Sequence, residues 1–466
     1  MSENRLTALD AGFLQTEDSD SHASLAVAAL AVLDGPAPAF AELTAVLDER
    51  TAHIARCRQV LHTEPLDLAA PQWVAATTFD ITHHVRRLAV AAPGDDASVH
   101  RAVADVMERR LDRSRPLWEC WVLEGLAGGR WAILIKLHHC IADGVAATAM
   151  LDAICDDAPV TSGVEIPGVA SQSGPRLFVG RNPINAGAEV WRLMRSTART
   201  GARVAMGAAQ ILAGVLTTTA PPLNGPLGDL RKFSATRITL DDVRLISERF
   251  GVTVNDVALA AITDGFRSAM LRRGVEPSAG PVRTLVPVSV RHPDQLHLID
   301  NRVSLLLPDL PVDRSDPLEQ LRLVHRRLNA AKRGGQRQAG ALVVAAANLV
   351  PFPIMASTVR LLSRIPQRGV VAVTTNVPGP QHRMRFMDRP IVDLVPVPPL
   401  AIGIRTGIAM LSYAGQLTFG VLGDYDAEID VDELAEGIEH GLTRLSHVAA
   451  AAGHTRRSRN LLLLSS

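Results

Sequence analysis

The period of the apolar positions changes repeatedly along the chain, and each change marks an element. Residues 24–33 form a nearly unbroken apolar run, the pattern of a buried strand. Residues 41–52 and 97–110 repeat at three and four positions and predict helices with charged outer faces. Two β-rich runs follow, residues 117–123 and 131–137, joined by a stretch holding Gly125, Gly128 and Gly129, which predicts a hairpin. Asp143 and Gly144 break that pattern, and residues 145–153 resume as a helix. From Asp156 to about Pro183 the chain turns to Pro, Gly and Ser, the composition of a linker.

Near Leu230 the mixed pattern starts again. Residues 240–250 and 256–273 predict helices, the second stopped by Gly274. Residues 283–290, 370–375, 403–412 and 417–423 predict strands, with a turn at 413–416, and residues 432–449 predict a closing helix. The tail places Arg456, Arg457 and Arg459 before four leucines, a frayed end or a point of membrane contact. The pattern therefore reads as an N-terminal α/β domain at 1–180, a linker at 181–229 and a C-terminal α/β domain at 230–466. A chain of 466 residues is too long for one ordinary core, which agrees with two domains.

Within the linker, residues 188–205 put Arg192, Arg195, Arg199 and Arg203 on one helical face, beside Trp191, Met194 and Ala198. A basic amphipathic helix of this kind suits a membrane surface, and a solvated connecting helix fits the same pattern. Two uncharged runs, 204–228 and 339–359, have the length to span a bilayer, but Gln210, Asn348 and the prolines at 221, 222, 351 and 353 interrupt them. The expectation is a protein that lies on a membrane rather than crosses it.

Composition narrows the function classes. The 48 basic and 48 acidic residues cancel, so no global field attracts nucleic acid, and none is expected as a partner. Lysine occurs only at Lys136, Lys232 and Lys332. Cys57, Cys120, Cys140 and Cys155 make no C-x-x-C pair and read as reduced, buried cytosolic thiols. The opening MSENRLTALDAGFL has no apolar signal core, which predicts a cytoplasmic protein.

The candidate chemistry is concentrated in KLHHCIADGVA, residues 136–146. His138 and His139 fall at a strand end, where alternate side chains face opposite ways, so they do not converge on one metal. Two structural histidines with satisfied hydrogen bonds are one reading. The other is general base chemistry, since an imidazole titrates near neutrality and the tight Asp-Gly turn opens room for a cleft. No G-x-S-x-G elbow is present, which removes the usual signature of an acyl-serine intermediate and leaves direct transfer.

HHCIADG matches the HHxxxDG signature of the chloramphenicol acetyltransferase-like superfamily. LDAGFL (9–14), LDRSRPLWE (111–119), VNDVALA (254–260), LVPVSVR (285–291), DNRVSLLLPDLP (300–311), NVPGP (376–380) and LSYAGQLTFGVLGDYD (411–426) extend the likeness over essentially the whole chain. Together they resemble the bacterial wax ester synthase/diacylglycerol acyltransferase family, in particular its mycobacterial triacylglycerol synthases.

The resemblance implies an α/β protein of two chloramphenicol acetyltransferase-like domains with mixed sheets and a substrate tunnel between them. It implies acyl transfer from long-chain acyl-CoA to diacylglycerol, with no metal and no cofactor, since acyl-CoA is itself a substrate. His139 would be the general base, His138 a local support, Asp143 a structural partner of an arginine, and Gly144 the residue that permits the turn. The family likeness also puts the Asn255–Asp256 pair near the shared site, although a helix cap explains the same residues. Pro116 and Trp118 fit substrate contact or plain core packing, Asn376 opens a rigid loop after a strand, and Arg291 fits a coenzyme A phosphate or Asp143. The insolubility of the substrate adds the inner membrane or a lipid-droplet surface as partner. A fatty-alcohol acceptor, a carrier-dependent condensation enzyme and a non-catalytic lipid binder are the rival readings.

Overall fold

The structure, a computed structural model, describes residues 4–141, 144–156, 223–278, 280–289, 303–333, 352–362, 367, 369–400 and 403–464. Asp143, Arg291, the 188–205 helix and most of both uncharged runs lie outside the described residues.

The first half opens with α1 (Ala8–Ser19), β1 (Ala26–Leu33) and α2 (Phe40–Ala52). The small β2 (Gln59–His62) and β3 (Gln72–Ala75) hairpin precedes β4 (Val85–Ala89) and α3 (Asp96–Glu108). Next come β5 (Trp118–Leu126), β6 (Arg130–His138) and α4 (Gly144–Ala153). The second half begins with β7 (Arg231–Thr239), α5 (Leu240–Phe250), α6 (Val254–Arg272) and β8 (Val282–Ser289). It continues through β9 (Val303–Leu306), β10 (Asp309–Leu310), α7 (Pro317–Arg333), α8 (Phe352–Leu362) and β11 (Ala372–Pro378). It ends with β12 (Arg385–Phe386), β13 (Arg389–Val397), β14 (Thr406–Tyr413), β15 (Gln416–Asp424) and α9 (Val431–Leu464).

Local sequence explains many of these boundaries. Asp95 caps α3 by accepting from the Ser98 amide at 2.9 Å, and Thr239 caps α5, which stops at Gly251 in a left-handed conformation (φ 65°). At α6, Thr253 and Asp256 form a reciprocal capping box. Ala414 and Gly415, both with positive φ, make the two-residue turn between β14 and β15.

Apart from the two-stranded β2–β3 sheet, the strands among the described residues assemble into two mixed sheets. The first runs β12-β13-β1-β6-β5-β4, and the second runs β10-β8-β11-β14-β15-β7 with β9 added beside β8. β4–β5, β8–β11 and β11–β14 are parallel, while β1–β6 and β14–β15 are antiparallel. The pattern along the chain does not foretell β13: a second-half strand pairs with β1, Ala28 opposite Val397, and completes the first sheet.

That crossover joins the cores. One core buries residues of β1, β5 and β6 together with Leu411, Tyr413 and Leu422 from the second sheet. The other lies between the second sheet and helices α5, α6, α7 and α9. The sheets approach closely at Gly420, where a Cβ would fall 1.8 Å from the Pro396 carbonyl oxygen. Helices α6 and α9 meet at Gly265 and Gly437, where a Cβ on Gly437 would lie 2.8 Å from the Gly265 Cα. The four cysteines are buried and free of disulfides.

Two expectations need correction. The closing helix does not stop at residue 449; its backbone continues through Leu464, so the basic and leucine-rich tail is helical rather than frayed. Asn376 does not begin a loop; it sits inside β11, paired with Met410 of β14, because the ladder runs on to Pro378 at the strand's end. Among the described residues no helix is long and apolar enough to cross a membrane.

Candidate active site

The last residues of β6 fix the two histidines. The His138 amide donates to the Leu117 carbonyl on one side at 3.0 Å, and the His139 amide donates to the Leu25 carbonyl on the other at 2.9 Å. Neighbouring side chains therefore point to opposite faces. His138 is 1 % exposed, whereas His139 is half-buried and its ring lies 4.5 Å from that of Phe13 at 40°.

Helix α1 reaches both rings. Its Glu17 is buried and approaches His138 Nε2 at 3.3 Å, a polar contact short of a well-formed hydrogen bond. The other His138 nitrogen, Nδ1, accepts from the Cys140 amide at 3.1 Å. A neutral His138 therefore carries its proton on Nε2, facing the carboxylate. Glu17 also accepts from the Leu25 amide at 2.7 Å and from Arg113 at 2.9 Å. Burial pushes the Glu17 carboxyl up, but His138, the Leu25 amide and Arg113 outweigh it and hold the carboxyl down at about 2. Burial acts in the same direction on Cys140 but is not outweighed there, so its thiol is pushed well above the ordinary value and stays neutral.

Lys136, two residues before His138 on the same strand, is fully buried and donates to the Val106 carbonyl at 2.8 Å and to that of Arg109. It closes the C-terminus of α3, where free carbonyls attract a cation. Burial pulls its ammonium down to about 8.

The other predicted residues separate into groups. Gly144 is the first residue of α4, which packs against β1 and β11, so the helix after the histidines lies between the two sheets. Pro116 and Trp118 are buried; the Trp118 indole donates to the Cys57 carbonyl at 3.0 Å and stacks on His84 at 4.6 Å. Trp118 is one step from His138 in register, opposite Leu137, yet its edge is committed to the core. Asp256 caps α6 and lies 2.8 Å from His325 Nδ1, while Asn329 Nδ2 lies 3.0 Å from the other ring nitrogen. Asn255 is half-buried beside it, and Asn376 is exposed on β11.

Sequence reasoning missed Glu17, Arg113 as its partner, and His325. Phe13 and Arg113 fall inside quoted motifs, LDAGFL and LDRSRPLWE, but Glu17 lies three residues beyond the first. Its spacing of four from Phe13 puts both on one helix face, the one available signal, and their target is more than 100 residues away.

The family model described as wax ester synthase/diacylglycerol acyltransferase catalytic domain matches residues 6–258, and the WS/DGAT C-terminal domain matches residues 299–446. A Mycobacterium tuberculosis protein named a probable diacylglycerol O-acyltransferase, tgs1, is 48% identical over 467 residues, covering 99% of this chain and 100% of its own. The wax ester synthase/diacylglycerol acyltransferase of Marinobacter aquaeolei VT8 superposes with a TM-score of 0.68 at 23% identity, covering 96% and 100% of the two chains. A starter condensation domain of rhizomide synthetase, solved with C8-CoA, shares the fold at a TM-score of 0.57 and 13% identity, covering 96% and 95%. Motif order, the two-sheet architecture and the matched domains agree: the chain belongs to the wax ester synthase/diacylglycerol acyltransferase family.

Proposed function

We propose that this protein transfers a long-chain acyl group from acyl-CoA to the free hydroxyl of diacylglycerol, forming triacylglycerol, with His139 as general base. The observation that carries the reading is the division of labour between the two histidines. His138 is buried against Glu17, while His139, with its backbone pinned to Leu25, is half-buried with its ring beside Phe13. The tgs1 relative's name supports diacylglycerol as acceptor.

A glycerolipid hydroxyl is too weak an acid to ionise beforehand, so the imidazole takes its proton as the oxygen attacks the thioester carbon. The carbon–sulfur bond then breaks, and the protonated imidazole returns the proton to the departing thiolate. Direct transfer needs neither a metal nor a covalent acyl-enzyme. By the family resemblance, Asp143 and Gly144 would support the turn after the histidines, and Asn255, Asp256, Arg291, Asn376, Pro116 and Trp118 would contribute to the substrate path or its support.

The protein works on a lipid surface, the inner membrane or a droplet. Supporting this, Ile354 and Leu361 stand exposed seven residues apart on one face of α8, and Leu68 is exposed on the neighbouring segment. Helix α8 in turn packs on α1, the helix that touches both histidines.

The test incubates purified protein with long-chain acyl-CoA and equal diacylglycerol and hexadecanol, following thiol release and the lipid products. Triacylglycerol in excess is expected. Wax ester in excess would move the acceptor to a fatty alcohol, and transfer to neither would remove the reading.

A further inference from the structure

Glu17 is a carboxylate in a place where charge is costly. It is 3 % exposed and remains ionised because two hydrogen-bond donors and the facing His138 ring surround it. Two of those contacts lead to the same point in the chain. The Leu25 amide donates to Glu17, and the carbonyl of that same residue accepts from the His139 amide. On the other side, Glu17 faces His138 Nε2, and His138 Nδ1 accepts from the Cys140 amide. The amides of His139 and Cys140, on either side of the His139 side chain, are thus tied to one carboxylate, through the Leu25 backbone on one flank and an imidazole on the other. Four positions earlier on the same helix face, Phe13 lies against the His139 ring. Arg113 fixes the carboxylate from behind and is itself held by Asp18 at 2.6 Å and the Leu14 carbonyl at 3.2 Å.

We infer that Glu17 is a positioning residue for His139: it aims the base through His138 and Leu25 without touching substrate. The inference rests on the reading of His139 as the base, and it adds a role for the buried histidine. His138 serves as a two-ended spacer, with Nε2 facing Glu17 and Nδ1 accepting from the Cys140 amide. A base must sit within hydrogen-bond reach of the proton it removes, so a small rotation at 138–140 lowers turnover while leaving the substrate sites in place.

The experiment compares Glu17→Gln, His138→Leu and His138→Gln with the wild-type full chain. Two readouts apply: steady-state transfer, and amide hydrogen exchange at residues 139–140. The exchange readout does not depend on turnover, so wild-type inactivity would count against the proposed reaction and leave this inference under test. Glu17→Gln should lower kcat at least 30-fold with KM for both substrates within threefold. Exchange at 139–140 should quicken at least tenfold while residues 133–135 in the middle of β6 keep their protection. His138→Gln, which retains a donor and an acceptor on one side chain, should recover most of the kcat lost in His138→Leu. Unchanged exchange at 139–140 in Glu17→Gln would overturn the inference. Equal losses in the two His138 variants would overturn it as well, and so would a loss spread along all of β6, the sign of general destabilisation. Should Glu17→Gln fail to fold, the His138 pair carries the same comparison.

Discussion

The Lys136 ammonium donates to the Val106 carbonyl at 2.8 Å, which ties the strand that ends at His138 to the last turn of α3. Burial lowers the lysine to about 8 from an ordinary 10.5, so the folded chain releases this proton earlier than the unfolded chain. Between pH 8 and 10.5 the unfolded state binds more protons, and stability from this group rises with pH. Urea unfolding of wild type and Lys136→Met across that window should show a rise in wild type, up to about 3 kcal/mol, that is missing in the variant. Parallel curves would mean that the lysine titrates as it does in water.

Glu17 gives a slope of the same sign at the acid end. Its carboxyl is held at about 2 in the fold against an ordinary 4.5, so its stabilisation is complete above pH 4.5 and is lost as pH falls toward 2. Relative to Glu17→Gln, wild type should lose up to about 3 kcal/mol over that interval. Unfolding free energies measured at matched ionic strength decide it.

Replacing the base itself should separate chemistry from folding. His139→Ala is expected to lower kcat by about 10²–10⁴-fold with an unchanged thermal transition. Turnover at the wild-type rate would remove His139 from the mechanism.

Tyr413 joins the two sheets through its hydroxyl, which accepts from the Met384 amide and donates to the Ile391 carbonyl, each at 2.9 Å. Tyr413→Phe leaves both backbone groups buried without that partner and should cost about 1–3 kcal/mol. A denaturation midpoint equal to wild type would contradict this.

The exposed pair on α8 offers a surface test. Ile354→Asp with Leu361→Asp should weaken flotation with liposomes by at least fivefold while sparing transfer to a short, soluble acceptor. Equal flotation would place lipid contact elsewhere on the molecule.

The features that were legible in the sequence are local ones. The β5–β6 hairpin, the α5 and α6 boundaries and the turn at Ala414–Gly415 follow from caps, glycines and alternation within a few residues. Strand β13 was not legible, because Pro390 and Pro396 argue against a strand and its partner β1 lies far away in sequence. At the site, the histidine pair stands out as a motif, and strand alternation correctly sends its members apart. Glu17 gives no such signal: a glutamate on a weakly amphipathic helix resembles any solvated residue until the fold carries it to His138.

The place of β13 has a consequence for how the protein is made. Ribosomes deliver β1 early, yet its neighbour in the sheet emerges roughly 360 residues later, about 20–70 s at ordinary elongation rates. Throughout that interval the nascent chain carries AVAALAVL as an unsealed apolar edge, the kind of strand other chains add to. The first half is therefore an unfinished template during its own synthesis. Its burden on chaperones depends on how fast translation crosses the second half, so codon usage there acts on the solubility of the first.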